Sequence, residues 1–261
     1  MEENTPLRVE IEGGIARITL DRPSVHNAFD DKLIADLTDC YTRLGTDTSI
    51  RVIVLAGAGP SFCAGADLAW MRRMANYTEA ENRADARKLQ QMFAVIALCP
   101  KVTIARVQGA AIGGGAGLVA VCDIAIAAPE ATFALSEVRL GLVPAVIAPY
   151  LLDKIGAGAA RALFVTGERF GAETALRLGL VQQIAPAAEL ETAVMQKADL
   201  ACQAGPEAVA AAKRLLTAIA GQTSEAVAAT TVECIAALRV SPGGQEGMRA
   251  FFEKRKPNWG A

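Results

Sequence analysis

Three features of this chain of 261 residues predict an α/β fold. Apolar runs of strand length alternate with helical patterns from position 7 to about 184, glycine-rich turns follow the strands, and beyond position 184 the pattern is helical only.

Leu7–Ile11 and Ile15–Leu20 flank Gly13-Gly14 and predict a hairpin. Asp30 or Asp31 is placed to cap a helix to about Leu44. Val52–Ala56 reads as a short buried strand, after which Gly57, Gly59 and Pro60 force a loop to near Asp67. Thr78 and Glu81 have capping-box spacing and open a helix to about Leu98, stopped by Pro100. Val102–Val107 is the next strand, and Gly113-Gly114-Gly115 turns it into a helix over Ala116–Cys122. Ile124–Ala128 and Thr132–Ala134 read as strands, about 145–155 as a helix, and Leu180–Ile184 as the last strand. Helices are then predicted over about Glu189–Gln203, Pro206–Ile219, Ser224–Leu238 and Gly244–Arg255. Two units follow, a core over 1–200 and a helical region over 201–261. Stripes such as Val209, Ala212, Leu216 and Ile219 need cover from the core or from further copies of the chain.

A formal net charge of −2 gives no electrostatic footprint for nucleic acid or an anionic bilayer. No apolar run is long enough to span a membrane, and Glu2, Glu3, Asn4 and Pro6 do not make a secretory leader, so a cytoplasmic protein is expected. Its partners are then small molecules or protein subunits. Six cysteines without a C-x-x-C pair, and a single histidine, point to neither a zinc site nor a disulfide framework.

The chemistry-bearing segments are two glycine-containing loops. Cys63-Ala64-Gly65-Ala66-Asp67 follows one strand, and the glycine triplet follows another and opens a helix. Bare backbone N–H groups at such turns can trap one oxygen bearing developing negative charge, as a thioester carbonyl does when its α carbon loses a proton or its β carbon is attacked by water. On spacing alone, both are equally readable as tight turns packed against helices. Gly117, two residues past the triplet, has no side chain for acid–base work, and the nearest downstream carboxylate is Glu137.

Four segments in register carry a family resemblance. They are Phe62-Cys63-Ala64-Gly65-Ala66-Asp67-Leu68, Gly113-Gly114-Gly115 with Cys122-Asp123, Ser136-Glu137 with Gly141, and Phe251-Phe252-Glu253-Lys254-Arg255-Lys256-Pro257. With Asp21-Arg22-Pro23 and Asn27-Ala28, they resemble the signature segments of the crotonase (enoyl-CoA hydratase/isomerase) superfamily over nearly the whole chain. Residues 66–74 and 166–170 are most similar to the 3-methylglutaconyl-CoA hydratases of leucine metabolism. The resemblance implies a spiral of ββα repeats with a C-terminal helical trimerisation region, assembled as a homotrimer or a hexamer built as a dimer of trimers. It implies an oxyanion hole from the N–H groups of Ala66 and Gly114, with Glu137 as the proton-transfer group. Ala64, Asp67 and Leu68 would border the substrate path, and Phe251 and Lys254 would reach coenzyme A. Coenzyme A would enter as part of an acyl-CoA thioester substrate, and no separate cofactor is implied. Lys254 suits a phosphate anion; the basic cluster around it also reads as a solvated helix end.

One departure stands out. Two-glutamate hydratases of the family carry a carboxylate where this chain has Gly117. Hydration needs a base for water and an acid for the α carbon, so either Glu137 serves both roles or another group supplies the second. The expectation drawn from Gly117 is room for a β-methyl substrate whose distal carboxylate pairs with Arg72 or Arg73; an exposed basic helix face is the other reading of those arginines. Three functions remain open on sequence: hydration of 3-methylglutaconyl-CoA to 3-hydroxy-3-methylglutaryl-CoA, Δ3,Δ2-enoyl-CoA isomerisation on one glutamate, and non-catalytic acyl-CoA binding.

Overall fold

The computed structural model describes residues 5–259. Glu2, Glu3 and Asn4, on which the leader reading drew, and the outermost positions of both expected units lie outside the described residues.

The hairpin forms as β1 (Leu7–Glu12) and β2 (Ile15–Leu20), followed by α1 (Asp31–Thr46), whose Leu33 N–H donates to the Asp30 cap. Next come β3 (Val52–Gly57), α2 (Leu68–Met74) and α3 (Glu79–Ala97), the last opened by the Thr78/Glu81 capping box. β4 (Val102–Val107), β5 (Ala110–Ile112), α4 (Gly114–Val121), β6 (Ile124–Ala127) and β7 (Thr132–Ala134) lead to α5 (Ala148–Thr166). β8 (Arg169–Gly171), α6 (Ala172–Leu178) and β9 (Gln183–Ile184) complete the strands, and α7 (Leu190–Cys202), α8 (Pro206–Ile219), α9 (Ser224–Val240) and α10 (Pro242–Phe252) follow.

The strands form a six-stranded sheet, β1-β2-β3-β4-β6-β9, and a three-stranded sheet, β5-β7-β8. Successive turns of chain leave one strand in each: β4 then β5, and β6 then β7. Single parallel bridges, Phe29 with Ala66 and Cys63 with Ala111, carry the pattern back to the earlier turns. This is the ββα spiral of the expected fold. β3 is buried along its length because the large sheet is covered on both faces. Ile53 and Leu55 join the main core with α1, α3, α4 and α5, whereas Val52 and Val54 pack with Leu190, Val194 and Ala198 of α7.

Four strands and α-helices escaped the sequence reading: α2, β5, β8 and α6. Each is three to seven residues long, too short for a period to register. α5 starts later and runs further than expected, from a Pro in its first turn to a left-handed Gly167 cap, with a non-helical break at Gly156. α4 begins at Gly114 itself, inside the triplet.

The C-terminal helices are fastened to the core through Asp123. Its carboxylate accepts from the Thr103 N–H (2.8 Å), the Thr103 hydroxyl (3.0 Å) and Lys213 Nζ on α8 (2.7 Å). α9 buries none of its residues, and Val232, Ile235 and Val240 on it are exposed. Among the described residues no helix is long and apolar enough to cross a membrane.

Candidate active site

The loop after β3 is set by hydrogen bonds rather than by its own sequence. The fully buried Asn27 donates from Nδ2 to the carbonyls of Ala58 and Ser61, both at 2.8 Å. His26 Nδ1 lies 3.0 Å from Ser61 Oγ, a second tie to the same loop. Further on, the Cys63 N–H donates to Ala110 (2.9 Å) and the Ile112 N–H to Cys63 (3.0 Å), which binds the loop alongside β5.

Phe29 then orients Ala66. Its N–H donates to the Gly65 carbonyl (2.8 Å) and its carbonyl accepts from the Asp67 N–H (3.0 Å). In a parallel bridge of this kind the groups flanking Ala66 face Phe29, so the N–H of Ala66 points to the other side. That N–H has no acceptor among the described residues. Neither has the N–H of Gly114, which is in the first turn of α4 and so lacks an intrahelical partner. The two loops converge, since a Cβ built on Gly65 would stand 3.6 Å from the Gly114 nitrogen.

Glu137 completes the cluster. It sits on a 3-10 turn over Ser136–Leu140, and its Oε1 lies 2.8 Å from where a Cβ on Gly113 would be. Gly113 has φ +54°, so two constraints exclude a side chain there, backbone conformation and the carboxyl itself. Glu137 Oε2 is buried with no partner among the described residues. Burial pushes the carboxyl above its ordinary range, partly offset by its own backbone N–H. An acid with one uncommitted buried oxygen, next to two uncommitted amide donors, can move a proton at a carbon whose neighbouring carbonyl they polarise.

Gly117 requires a correction. The expected room beside it is occupied: a Cβ there would overlap the Ile147 Cγ2 methyl outright and lie 3.0 Å from Ile147 Cβ and 3.1 Å from Phe93 Cε1. The volume has been taken by an aliphatic side chain thirty positions downstream, so Gly117 opens no space for a substrate branch.

Asp67 also departs from expectation. Its carboxylate accepts from the N–H groups of Ala69 (2.7 Å) and Trp70 (3.3 Å), capping α2, and from Arg22 Nη2 (3.0 Å). Burial raises the carboxyl, but these bonds together hold it below its usual range. The side chain is committed inside the protein instead of bordering a substrate. Arg73 is paired with Asp31, while Arg72 is exposed on α2. Leu68, Phe251 and Lys254 are exposed, Phe251 at 79%, and Ala64 is half-buried within the loop.

The sequence reading missed Phe29, Phe93 and Ile147, whose importance lies in what they press against. It also missed a cleft of about 580 Å³ lined by Arg22, Pro23, Ser24, Val25 and Lys32. Its sequence signals were the Asp21-Arg22-Pro23 segment and the Pro23-Ser24-Val25 loop before His26.

Fold and comparisons define an enzyme of the crotonase fold. The chain belongs to the enoyl-CoA hydratase/isomerase family, whose model matches residues 10–261. It is 32% identical over 255 residues to the crotonyl-CoA hydratase of Syntrophomonas wolfei, covering 96% of each chain. It is 32% identical over 256 residues to the (E)-benzylidenesuccinyl-CoA hydratase of Thauera aromatica, covering 97% of this chain and 98% of that one. The crystal structure of an enoyl-CoA hydratase from Shewanella pealeana superposes with a TM-score of 0.95 at 40% identity, covering 99% of this chain and 97% of that chain.

Proposed function

We propose that the chain interconverts 3-methylglutaconyl-CoA and 3-hydroxy-3-methylglutaryl-CoA through a thioester enolate. The observation that carries this reading is the partnerless buried oxygen of Glu137 beside the free N–H groups of Ala66 and Gly114. Those amides hold the thioester oxygen as negative charge collects on it. In the hydration direction the protonated Glu137 gives its proton to the α carbon. Its other oxygen takes a proton from the water whose oxygen bonds to the β carbon, so the carboxyl ends as it began. Burial, which favours the protonated form, supports that starting state.

Ala64 and Leu68 border the coenzyme A path, and the cleft beside Pro23-Ser24-Val25 continues it. Lys254 meets a phosphate of coenzyme A and Phe251 its adenine, from a neighbouring subunit. Exposed apolar residues on α9 and α10, Val240 and Phe252 among them, support assembly as a homotrimer or hexamer. Arg72, which has no paired carboxylate among the described residues whereas Arg73 has one, takes the distal carboxylate of the acyl group.

A second reading, Δ3,Δ2-enoyl-CoA isomerase, is favoured by the single acid–base group, since moving one proton between two carbons needs only that. Incubation with 3-methylglutaconyl-CoA in ¹⁸O-water separates them. Label in the hydroxyacyl product supports hydration, and double-bond migration without label overturns it. Glu137→Gln should abolish turnover and leave coenzyme A ester binding near the parent value; retained turnover removes Glu137 from its role.

A further inference from the structure

Among the described residues, three combine a side chain with a positive φ, and two of them are neighbours, His26 at +52° and Asn27 at +56°. Asparagine enters this left-handed region more readily than most residues, but two such positions in succession persist only where their surroundings hold them. What holds this pair is the Asn27 side chain, which is fully buried. Its Nδ2 donates to the carbonyls of Ala58 and Ser61, both at 2.8 Å, and its Oδ1 accepts from the Arg22 N–H at 2.9 Å. The fit leaves no slack, since a Cβ on Gly57 would stand 2.8 Å from that Nδ2.

The backbone on either side of Asn27 is what the Ala66 loop pairs with. The Ala64 N–H donates to the His26 carbonyl (2.9 Å), the Phe29 N–H to the Gly65 carbonyl (2.8 Å) and the Asp67 N–H to the Phe29 carbonyl (3.0 Å). These bonds leave the Ala66 N–H facing away from residues 26–29. Ala64, Gly65 and Ala66 carry no polar side chain that could fix that direction themselves. A shift of residues 26–29 is therefore a shift of Ala66.

We infer that Asn27 is a positioning residue for the reaction: its amide clamps the left-handed turn at 26–27 against the loop after β3 and, through the backbone of His26 and Phe29, aims the Ala66 N–H at the thioester oxygen. The inference rests on the oxyanion role proposed for Ala66 and Gly114. Without the Asn27 amide, the carbonyls of Ala58 and Ser61 and the Arg22 N–H lose their shared partner and the turn is free to relax. A donor displaced by about 1 Å costs about 10² in rate.

The test uses 3-methylglutaryl-CoA carrying ¹³C at the thioester carbonyl, a saturated ester that is not hydrated and whose carbonyl stretching frequency falls as hydrogen bonds polarise it. The parent should bind it with a lowered frequency. Asn27→Ala should lose about half of that lowering, because one of two donors is misaimed. With 3-methylglutaconyl-CoA its kcat should fall about 10²-fold while KM stays within about threefold. Asn27→Gly, which takes the left-handed conformation without strain and so guards against misfolding, should show the same losses. A lower Tm in both variants with the bound frequency and kcat of the parent would mean a structural clamp only, and overturns the inference. So does an Asn27→Gly that keeps the full lowering, because backbone conformation alone would then aim the donor. A parent that leaves the frequency of the bound ester unchanged removes the oxyanion reading and the inference with it. A parent that lowers it yet hydrates no enoyl thioester removes the proposed reaction and leaves the role of Asn27 standing.

Discussion

Gly114→Ala puts the oxyanion geometry under a defined load. A Cβ at this position would overlap Phe29 Cζ and stand 2.8 Å from Cε1 and 3.3 Å from Cε2. Carbon–carbon contacts relax near 3.5–4.0 Å, so the ring and the helix start must separate by roughly 1 Å or more. Phe29 is poorly able to retreat. It is fully buried, it packs on Trp70 at a centroid distance of 6.1 Å, and its backbone is tied to Gly65 and Asp67 on either side of Ala66. The displacement therefore falls on the first turn of α4, which carries one proposed donor, or through Phe29 on Ala66, which carries the other. Overpacking of this kind costs about 1–3 kcal/mol, a Tm loss of about 2–10 °C at this size. Misplacing an oxyanion donor costs about 10²–10³ in kcat. The assay is the loss of conjugated-thioester absorbance, with kcat and KM separated and melting measured in parallel. KM should stay within about threefold while kcat falls, because the donor matters most once charge has developed. Adding Phe29→Leu should return about tenfold or more of the lost rate by shortening the obstructing group. A Gly114→Ala enzyme with kcat within about threefold of the parent refutes the reasoning, as does a Phe29→Leu addition that restores nothing.

Glu137→Gln bears on stability as well as rate. Burial raises this carboxyl, so the folded state binds its proton more tightly than the unfolded chain does. The fold then weakens as pH rises from the ordinary carboxylate range through the raised folded value, and stays weakened above it. The variant should accordingly melt above the parent near ~pH 8 and lose that advantage near ~pH 3; the opposite trend would mean the acid is not held in an apolar setting. Asp67→Ala should cost about 1–3 kcal/mol through the lost α2 cap and the loss of one of the two carboxylates paired with Arg22, with KM for acyl-CoA near the parent value. A raised KM at unchanged stability would instead place that carboxylate against the substrate. Asp123→Asn weakens the hold on Lys213 and should make the segment from α8 onward more susceptible to limited proteolysis; an unchanged digestion pattern would show that the helices are held by other contacts.

What could be read from the sequence was what depends on backbone. The capping box at Thr78, the hairpin at Gly13-Gly14 and the fully apolar β3 each follow from a local rule and are in the structure as read, and of the two cap candidates Asp30 and Asp31 the structure uses Asp30. The two amide-bearing loops belong to the same class, because glycine and strand ends mark where N–H groups go unpaired. Tertiary packing was not readable in this way. Asp67 was expected to border the substrate because nothing in its neighbourhood names Arg22, forty-five positions away, as its partner. The helix α2 that it caps has seven residues, too few for a period to show. Gly117 was the most instructive error. A missing side chain read as empty space, yet interiors are close-packed and a vacated volume is filled by whichever neighbour can reach it. Here that neighbour is Ile147.

Enclosing Glu137 away from water has an electrostatic consequence of its own. Water in a gap beside Glu137 would solvate the ionised carboxylate and bring it back toward its ordinary range, and a second carboxylate there would add a like charge. Burial raises the Glu137 carboxyl, and its own backbone N–H is what lowers it in part. A single carboxyl that must donate at one carbon and accept at the next needs its protonated form within reach, and burial favours that form. Ile147→Asp would test the link. A carboxylate placed at that position should move the pH–rate profile of turnover, whereas Ile147→Asn, isosteric with the Asp variant, separates added charge from altered packing. If both variants share the parent's profile, Ile147 only fills the space at position 117 and the protonation of Glu137 is set elsewhere.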